Sequence, residues 1–165
     1  MPFFGQIWNI KLKYIKSNIY IYSMSELEVY KLLNALENET NTSIMNLTMS
    51  KIKDIKNNIL QSLQLERKLL KSFHKKLKDY RYCSDQSDLQ YGFYIRWIPL
   101  TNPDNIKLTN GGIIIDIDII NDCIQLRVKN NQNRIFQIKF DEAIIFQKIS
   151  PQEKVILGVL NYLEK

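Results

Sequence analysis

The sequence predicts an α+β protein, with a helical N-terminal half followed by a small antiparallel β-barrel and a C-terminal capping helix. Residues 43–80 contain no Gly or Pro and place apolar residues at steps of three and four, which is the period of a helix. Residues 91–149 alternate apolar and polar residues at steps of two, which is the period of strands. The segment Ser150-Pro151-Gln152-Glu153 then combines a helix cap, a proline at the first helical position and a capping box.

The composition is that of one ordinary globular domain, or of a small domain with a helical arm. The chain has 165 residues, of which 45% are hydrophobic and 24% charged, so we expect a packed core. Two cysteines without CxxC spacing and a single histidine cannot supply a four-ligand zinc site. No run of about 18 apolar residues is present. We therefore expect a reduced, cytoplasmic protein with no structural metal, no cofactor and no membrane span.

The N-terminal leader is basic, with Lys11, Lys13 and Lys16 among apolar residues. It is either a basic, aromatic arm or an upstream extension, in which case translation begins at Met24. The expected segments are residues 1–23 as this leader, residues 24–82 as a helical arm, and residues 90–165 as the small β-barrel with its C-terminal helix.

Two helices are predicted in the arm. The first covers about residues 26–36, and Ser25 with Glu28 fits a capping box at its start. The second covers about residues 43–80, which at about 1.5 Å per residue spans more than about 50 Å. Its apolar stripe either pairs with a second copy as a coiled coil or is covered by the first helix as a hairpin within one chain. The candidate oligomer interface consists of Ile59, Leu63, Leu70, Phe73 and Leu77.

Five strands are predicted in the second half of the chain, from the alternation and from turn signals between the strands. Asn121-Asp122 fits a two-residue hairpin turn, and residues 131–133 fit a three-residue turn. Asn110-Gly111-Gly112 marks a further turn. The predicted strands are Tyr91 to Ile98, Ile113 to Ile120, Cys123 to Asn130, Arg134 to Phe140 and Ala143 to Ile149.

The two hairpin turns predict the register of the sheet and its core face. On the outer face, Asp116 is expected opposite Arg127 as an opposite-charge pair, and Asp118 opposite Gln125. The second hairpin places the same face in the core as the first. A register shift of one residue would move the apolar side chains of both hairpins to the outer face. The other outer-face pairs are Arg127 with Gln137 and Gln125 with Lys139. The core-face pairs are Ile119 with Ile124, Ile117 with Leu126, Ile115 with Val128, Val128 with Phe136, Leu126 with Ile138 and Ile124 with Phe140.

A metal site is the alternative interpretation of the two aspartates. Asp118 and the later Gln137-Ile138-Lys139 loosely resemble the acidic and (D/E/Q)xK elements of restriction-type nucleases. In that family the carboxylates hold a divalent cation and the lysine helps to activate water. Asp116, however, is matched to Arg127, and Lys139 is two strands away from Asp118. A solvated polar face of the sheet is therefore the favoured interpretation.

Other catalytic patterns are missing from the sequence. His74 lies beside Lys75 and Lys76, which indicates a surface position. There is no Walker or dinucleotide-binding glycine pattern, and Gly111-Gly112 is interpreted as a turn. We therefore predict that the protein is not an enzyme.

The basic charge is concentrated on one element. Residues 51–81 carry ten basic side chains against three acidic ones, while residues 81–165 are neutral. Lysines attract phosphates, and an exposed aromatic side chain can stack on a base. The alternative is that the lysines only solubilise a helix and that the tyrosine belongs to the core. The candidate nucleic-acid-binding residues are Lys68, Lys71, Lys75, Lys76, Lys78, Tyr94 and Arg96.

The five strands between Tyr91 and Ile149 resemble a small SH3-like or OB-like barrel, a fold that commonly binds peptides or nucleic acid. The segments YGFYIRWIPL, LTNGGIIIDIDI and RIFQIKFDEAIIFQK, with the AT-biased composition, resemble uncharacterised proteins of large nucleocytoplasmic DNA viruses of the mimivirus kind. That resemblance implies a location in the host cytoplasm or the virion and brings no catalytic residues with it.

The functional hypothesis is a non-catalytic adaptor that self-associates through its helices and binds nucleic acid or a nucleoprotein assembly. A structural or scaffold protein that binds only other proteins is the alternative. Salt dependence separates the two, because phosphate binding weakens steeply with salt and apolar helix pairing does not.

Overall fold

The computed structural model describes residues 24–163, so the predicted leader at residues 1–23 lies outside the described residues. This part of the chain is α+β, as predicted, and contains four α-helices and six strands. In chain order these are α1 (Glu26–Glu37), α2 (Met49–Ser62), α3 (Arg67–Lys76), β1 (Tyr80–Cys83), β2 (Tyr94–Pro99), β3 (Gly112–Ile120), β4 (Cys123–Lys129), β5 (Ile135–Lys139), β6 (Ala143–Lys148) and α4 (Pro151–Leu163).

The chain divides into two compact units. Of the described residues, 24–49 and 151–163 form the first unit and 50–150 form the second. This division differs from the expected segments 24–82 and 90–165, because the C-terminal helix α4 packs with α1 in the first unit.

Helix α1 begins at the predicted capping box. The Ser25 backbone N–H donates to Glu28 Oε2 at 2.8 Å, and the Glu28 N–H donates to Ser25 Oγ at 3.3 Å. The Ser25 backbone N–H and, second, the Ser25 hydroxyl donate to the Glu28 carboxylate and hold its pKa below its ordinary value. The helix ends at Glu37, and the next residue, Asn38, accepts from the Thr40 N–H with its side chain and opens a 3-10 helix at Glu39–Ile44. The buried apolar side chains of α1 and α4 are Leu32, Ala35, Leu36, Ile156, Leu157 and Val159.

The prediction of one long helix over residues 43–80 is wrong. Helix α2 ends at Ser62, and Gln64 takes a left-handed conformation with φ of 50°. Helix α3 begins at Arg67 and ends before Leu77, whose N–H donates to the Phe73 carbonyl. The break lets two short helices each place an apolar side on the same sheet, which one straight helix of about 50 Å cannot do.

The six strands form one antiparallel sheet in the order β1-β6-β2-β3-β4-β5. The expected five-stranded barrel is therefore wrong, because Tyr80–Cys83 adds a sixth strand where the helical arm was expected to end, and β1 and β5 are open edges. The sheet nevertheless curls, since the rings of Trp97 on β2 and Phe136 on β5 lie 6.0 Å apart although two strands separate them. The curl encloses a core of Cys83, Leu89, Ile95, Trp97, Ile114, Leu126, Val128, Ile138 and Ile145.

The predicted register of both hairpins is confirmed at most positions. Asp116 pairs with Arg127, and the β4–β5 pairs from Gln125–Lys139 to Val128–Phe136 are as expected. One difference occurs at the start of β3, where Ile114 rather than Ile115 pairs with Val128. A bulge between Ile114 and Asp116 inserts an extra residue, which buries Ile114 and leaves Ile115 exposed.

A second difference in the core face occurs after β5. The strand ends at Lys139, so Phe140 does not pair with Ile124 as expected. Phe140 instead opens a 3-10 helix at Phe140–Glu142 and packs against the same core.

The opposite face of the sheet carries α2 and α3 over its β1-β6-β2 half, and we call it the helix-bearing face. Its core contains Leu60 of α2 together with Phe73 and Leu77 around the end of α3. These side chains pack on Tyr80, Ile98 and Phe146 of three strands, and Tyr94 packs at the margin of the cluster.

Candidate nucleic-acid interface

Helix α3 presents its basic side chains to solvent because its apolar side chains face the sheet. Phe73 and Leu77, four residues apart, are buried, and Leu70 packs against the same cluster. Residues on the other side of the helix are consequently exposed. Among residues 24–163, these basic side chains take part in no ion pair. They are Arg67, Lys68, Lys71, Lys75, Lys76 and Lys78, and we call them the basic α3 surface.

Lys56 of α2 is the exception among the lysines of this region, because it is buried. Its Nζ donates to the carbonyl oxygens of Leu77 at 2.7 Å, Tyr80 at 3.0 Å and Lys78 at 3.4 Å. These carbonyls follow the last turn of α3, where no further helical turn supplies a donor. Burial lowers the pKa of Lys56, and the negative charge of Asp79 opposes this shift. Lys56 therefore fixes the end of α3 and is not available to a phosphate.

Tyr94 and Arg96 lie on the helix-bearing face, the same face as α3. The Tyr94 hydroxyl donates to the Asn110 carbonyl at 2.9 Å, and its half-buried ring packs against the apolar cluster. The Arg96 guanidinium lies over the Tyr80 ring, 5.7 Å from the ring centroid. Burial raises the pKa of Tyr80, and the positive charge of Arg96 opposes this shift. Tyr94 thus leaves less ring surface for stacking than we expected.

The residues expected at an oligomer interface lie in the core of one chain. Phe73 and Leu77 are buried, while Ile59, Leu63 and Leu70 are partly buried and pack against the same cluster. An apolar stripe with this spacing fits a partner helix or a sheet equally well, and here the chain's own sheet occupies it. The coiled-coil interpretation of this stripe is corrected accordingly.

The two aspartates of β3 are paired with Arg127. The Arg127 guanidinium contacts the Asp116 carboxylate directly and lies 3.6 Å from that of Asp118. Lys139 instead pairs with Glu142 at 3.0 Å. The nuclease-like grouping is therefore not assembled. Within the described range 24–163, no cluster of three or more His, Cys, Asp or Glu side chains is positioned to hold a metal ion.

Two buried polar residues were not predicted from the sequence. Arg81 on β1 is 1% exposed and donates to the Asp88 carbonyl at 2.9 Å. Gln147 on β6 is fully buried, and its Oε1 accepts from the Gln90 N–H at 3.0 Å. Both side chains hold the 84–92 loop against the sheet. Gln147 lies in a predicted strand, Ala143 to Ile149, where alternation was the available signal, whereas Arg81 falls in the segment 24–82 that was expected to be a helical arm.

Fold and site together define an α+β protein whose curled, open antiparallel sheet carries a basic helix on one face. Comparison of the chain with known protein families, curated proteins and solved structures found no match. The resemblances to SH3-like or OB-like barrels and to proteins of large DNA viruses therefore stay predictions. Over residues 24–163, none of the helices combines the length and the apolar character that crossing a membrane requires.

Proposed function

We propose that the protein is a non-catalytic adaptor that binds nucleic acid through the basic α3 surface. The observation that carries the proposal is the group of six exposed cations without an ion-pair partner in the described chain. Lysine and arginine side chains attract phosphates regardless of base sequence and release condensed counterions on binding.

The packing of α3 supports this role. Phe73 and Leu77 attach the helix to the sheet, and Lys56 fixes its end, so the cations are held in place before a ligand arrives. Ordering such long side chains on a mobile segment would cost affinity. Helix α3 is about 15 Å long, and a duplex carries one charge per about 1.7 Å of its axis. Several phosphates can therefore contact the surface at once.

We expect the triple variant Lys68→Gln/Lys71→Gln/Lys75→Gln to weaken binding of a labelled 30-mer and to flatten its salt dependence. The slope of log Kobs against log salt should fall in magnitude by about 2 for a single strand and by about 3 for a duplex. Fluorescence anisotropy titrations at several salt concentrations measure both quantities.

The matched control is Lys53→Gln/Lys107→Gln/Lys148→Gln, which removes the same charge from exposed lysines outside α3. It should leave most of the slope in place. Equal effects of the two triple variants would mean that only net charge matters, and no binding by the wild-type chain at low salt would reject the proposal.

A protein-binding scaffold is the second candidate function. Its support is an apolar stripe on α1, where Leu27 and Tyr30 are 61% and 62% exposed and Leu33 lies one turn further on. Three side chains supply much less area than the roughly 1,200 Å² that a stable interface buries, so this candidate ranks below the first. The scaffold would become the favoured function if light scattering gave the mass of a dimer at both low and high salt and the chain bound no nucleic acid.

A further inference from the structure

Three exposed side chains form a row across the open half of the helix-bearing face. Ile113 on β3 pairs with Lys129 on β4, and Lys129 pairs with Ile135 on β5. Directly opposed residues of antiparallel strands share a face, so the three lie side by side about 5 Å apart. We call Ile113, Lys129 and Ile135 the β3–β5 row.

The row continues the covered half of the same face. Ile113 also pairs with Tyr94 on β2, and Tyr94 packs against the cluster beneath α3. Helices α2 and α3 pack on β1, β6 and β2, whereas Ile113 and Ile135 are 43% and 61% exposed. The basic α3 surface and the β3–β5 row therefore belong to one side of the sheet.

The charges around the row favour an anionic ligand. Lys129 lies within it, and Arg96 occupies the same face of β2 two residues from Tyr94. Asp116 and Asp118 lie further along β3 and are paired with Arg127. A ligand that combines apolar surface with negative charge fits an apolar row beside cations.

We propose that the β3–β5 row contacts the unstacked bases of single-stranded nucleic acid whose phosphates lie on the basic α3 surface. This inference rests on the proposed function and adds a preference for single strands. Base faces are stacked inside a duplex and reach an apolar surface only when the strand is single. Lysine contributes its apolar stem to such a contact while its ammonium group stays near a phosphate.

The test is the double variant Ile113→Gln/Ile135→Gln, which removes apolar surface and adds no charge. Binding of a mixed-sequence single-stranded 30-mer should weaken about tenfold, with the salt slope unchanged because no phosphate contact is lost. Binding of the duplex of the same sequence should not change. The control is Ile119→Gln/Ile120→Gln, at exposed positions of the other end of β3, about 20 Å away.

Each outcome separates this inference from the proposed function. A wild-type chain that binds neither ligand rejects both. Binding of both ligands that depends on Lys68, Lys71 and Lys75 but is indifferent to Ile113→Gln/Ile135→Gln rejects only the base contact. Equal losses for single strand and duplex, or an equal loss in the control, also reject it. Unchanged thermal unfolding of the variants confirms that exposed positions were altered without damage to the fold.

Discussion

Lys56→Met is expected to lower the free energy of unfolding by about 3 kcal/mol. Methionine keeps the apolar stem but removes the ammonium group that bonds the carbonyls of Leu77, Lys78 and Tyr80. Those acceptors lose a charged donor in a region where water has little access, which costs more than an exposed bond does. Urea unfolding followed by circular dichroism measures the loss.

The control is Lys53→Met on the same helix, where the side chain is exposed and the change should stay within about 0.5 kcal/mol. Equal losses for the two variants would contradict the assigned role of Lys56. A loss under about 1 kcal/mol for Lys56→Met alone would mean that the three carbonyls find other donors.

The pH dependence of the same variant gives a second readout. Burial lowers the pKa of Lys56 in the folded protein from its ordinary value of 10.5. The folded state then holds this proton less tightly than the unfolded chain, so stability rises with pH from the lowered value up to 10.5. Tyr80 is present in both proteins, so its contribution to the pH dependence cancels when the stability of the variant is subtracted from that of the wild type. The stability difference between wild type and Lys56→Met should widen with pH in this window, and a narrowing would contradict the direction of the shift.

Gly111→Ala is expected to destabilise the protein by more than about 3 kcal/mol or to prevent folding. Gly111 has φ of 88°, and a Cβ there would lie 2.1 Å from the carbonyl oxygen of Ile95, a backbone atom that cannot move aside without disturbing β2. The same Cβ would also collide with the Tyr94 ring. Both backbone strain and overlap therefore oppose any side chain at this position.

Two other glycines make the prediction testable even if Gly111→Ala does not fold. Gly92 has φ of 80° but open space around a Cβ, so Gly92→Ala should cost about 1 kcal/mol from strain alone. Gly158 lies within helix α4 with open space around a Cβ, so Gly158→Ala should gain up to about 1 kcal/mol. Thermal unfolding should rank the variants in this order, and equal effects at Gly111 and Gly92 would contradict the assigned overlap.

The hairpins were predictable because the turn residues and the alternation of apolar and polar residues indicate the same strand register. Asn121 and Asp122 take positive φ, as a two-residue hairpin turn requires, and the pairs beyond them follow. The bulge at Ile115 was not predictable, because three consecutive isoleucines give no signal as to which one is buried. A run of identical residues hides a shift of register that a polar residue would reveal.

The break between α2 and α3 was missed for a related reason. Residues 63–66 contain no Gly or Pro, and Gln64 adopts its left-handed conformation because burial of the helices on the sheet favours a turn there. β1 is four residues long and begins shortly after α3 ends at Lys76, so its alternation of apolar and polar residues was too short to detect.

The positive charge of the candidate site was predictable from the sequence, but the contacts that hold α3 in place were not. Lysines at exposed and buried positions look alike in a basic run, so Lys56 could not be distinguished from Lys53 by sequence. The burial of the Leu70, Phe73 and Leu77 stripe is predictable from its period, whereas the surface that covers it depends on the tertiary fold.

The close spacing of cations on α3 also affects the free protein. Six like charges on and just after a ten-residue helix repel one another, and Arg67 and Lys68 in its first turn face the positive end of the helix dipole. Mobile ions screen this repulsion over a Debye length of about 10 Å at 0.1 M. Added salt should therefore raise the free energy of unfolding of the unliganded chain. The same high salt weakens the binding of a polyanion to that chain.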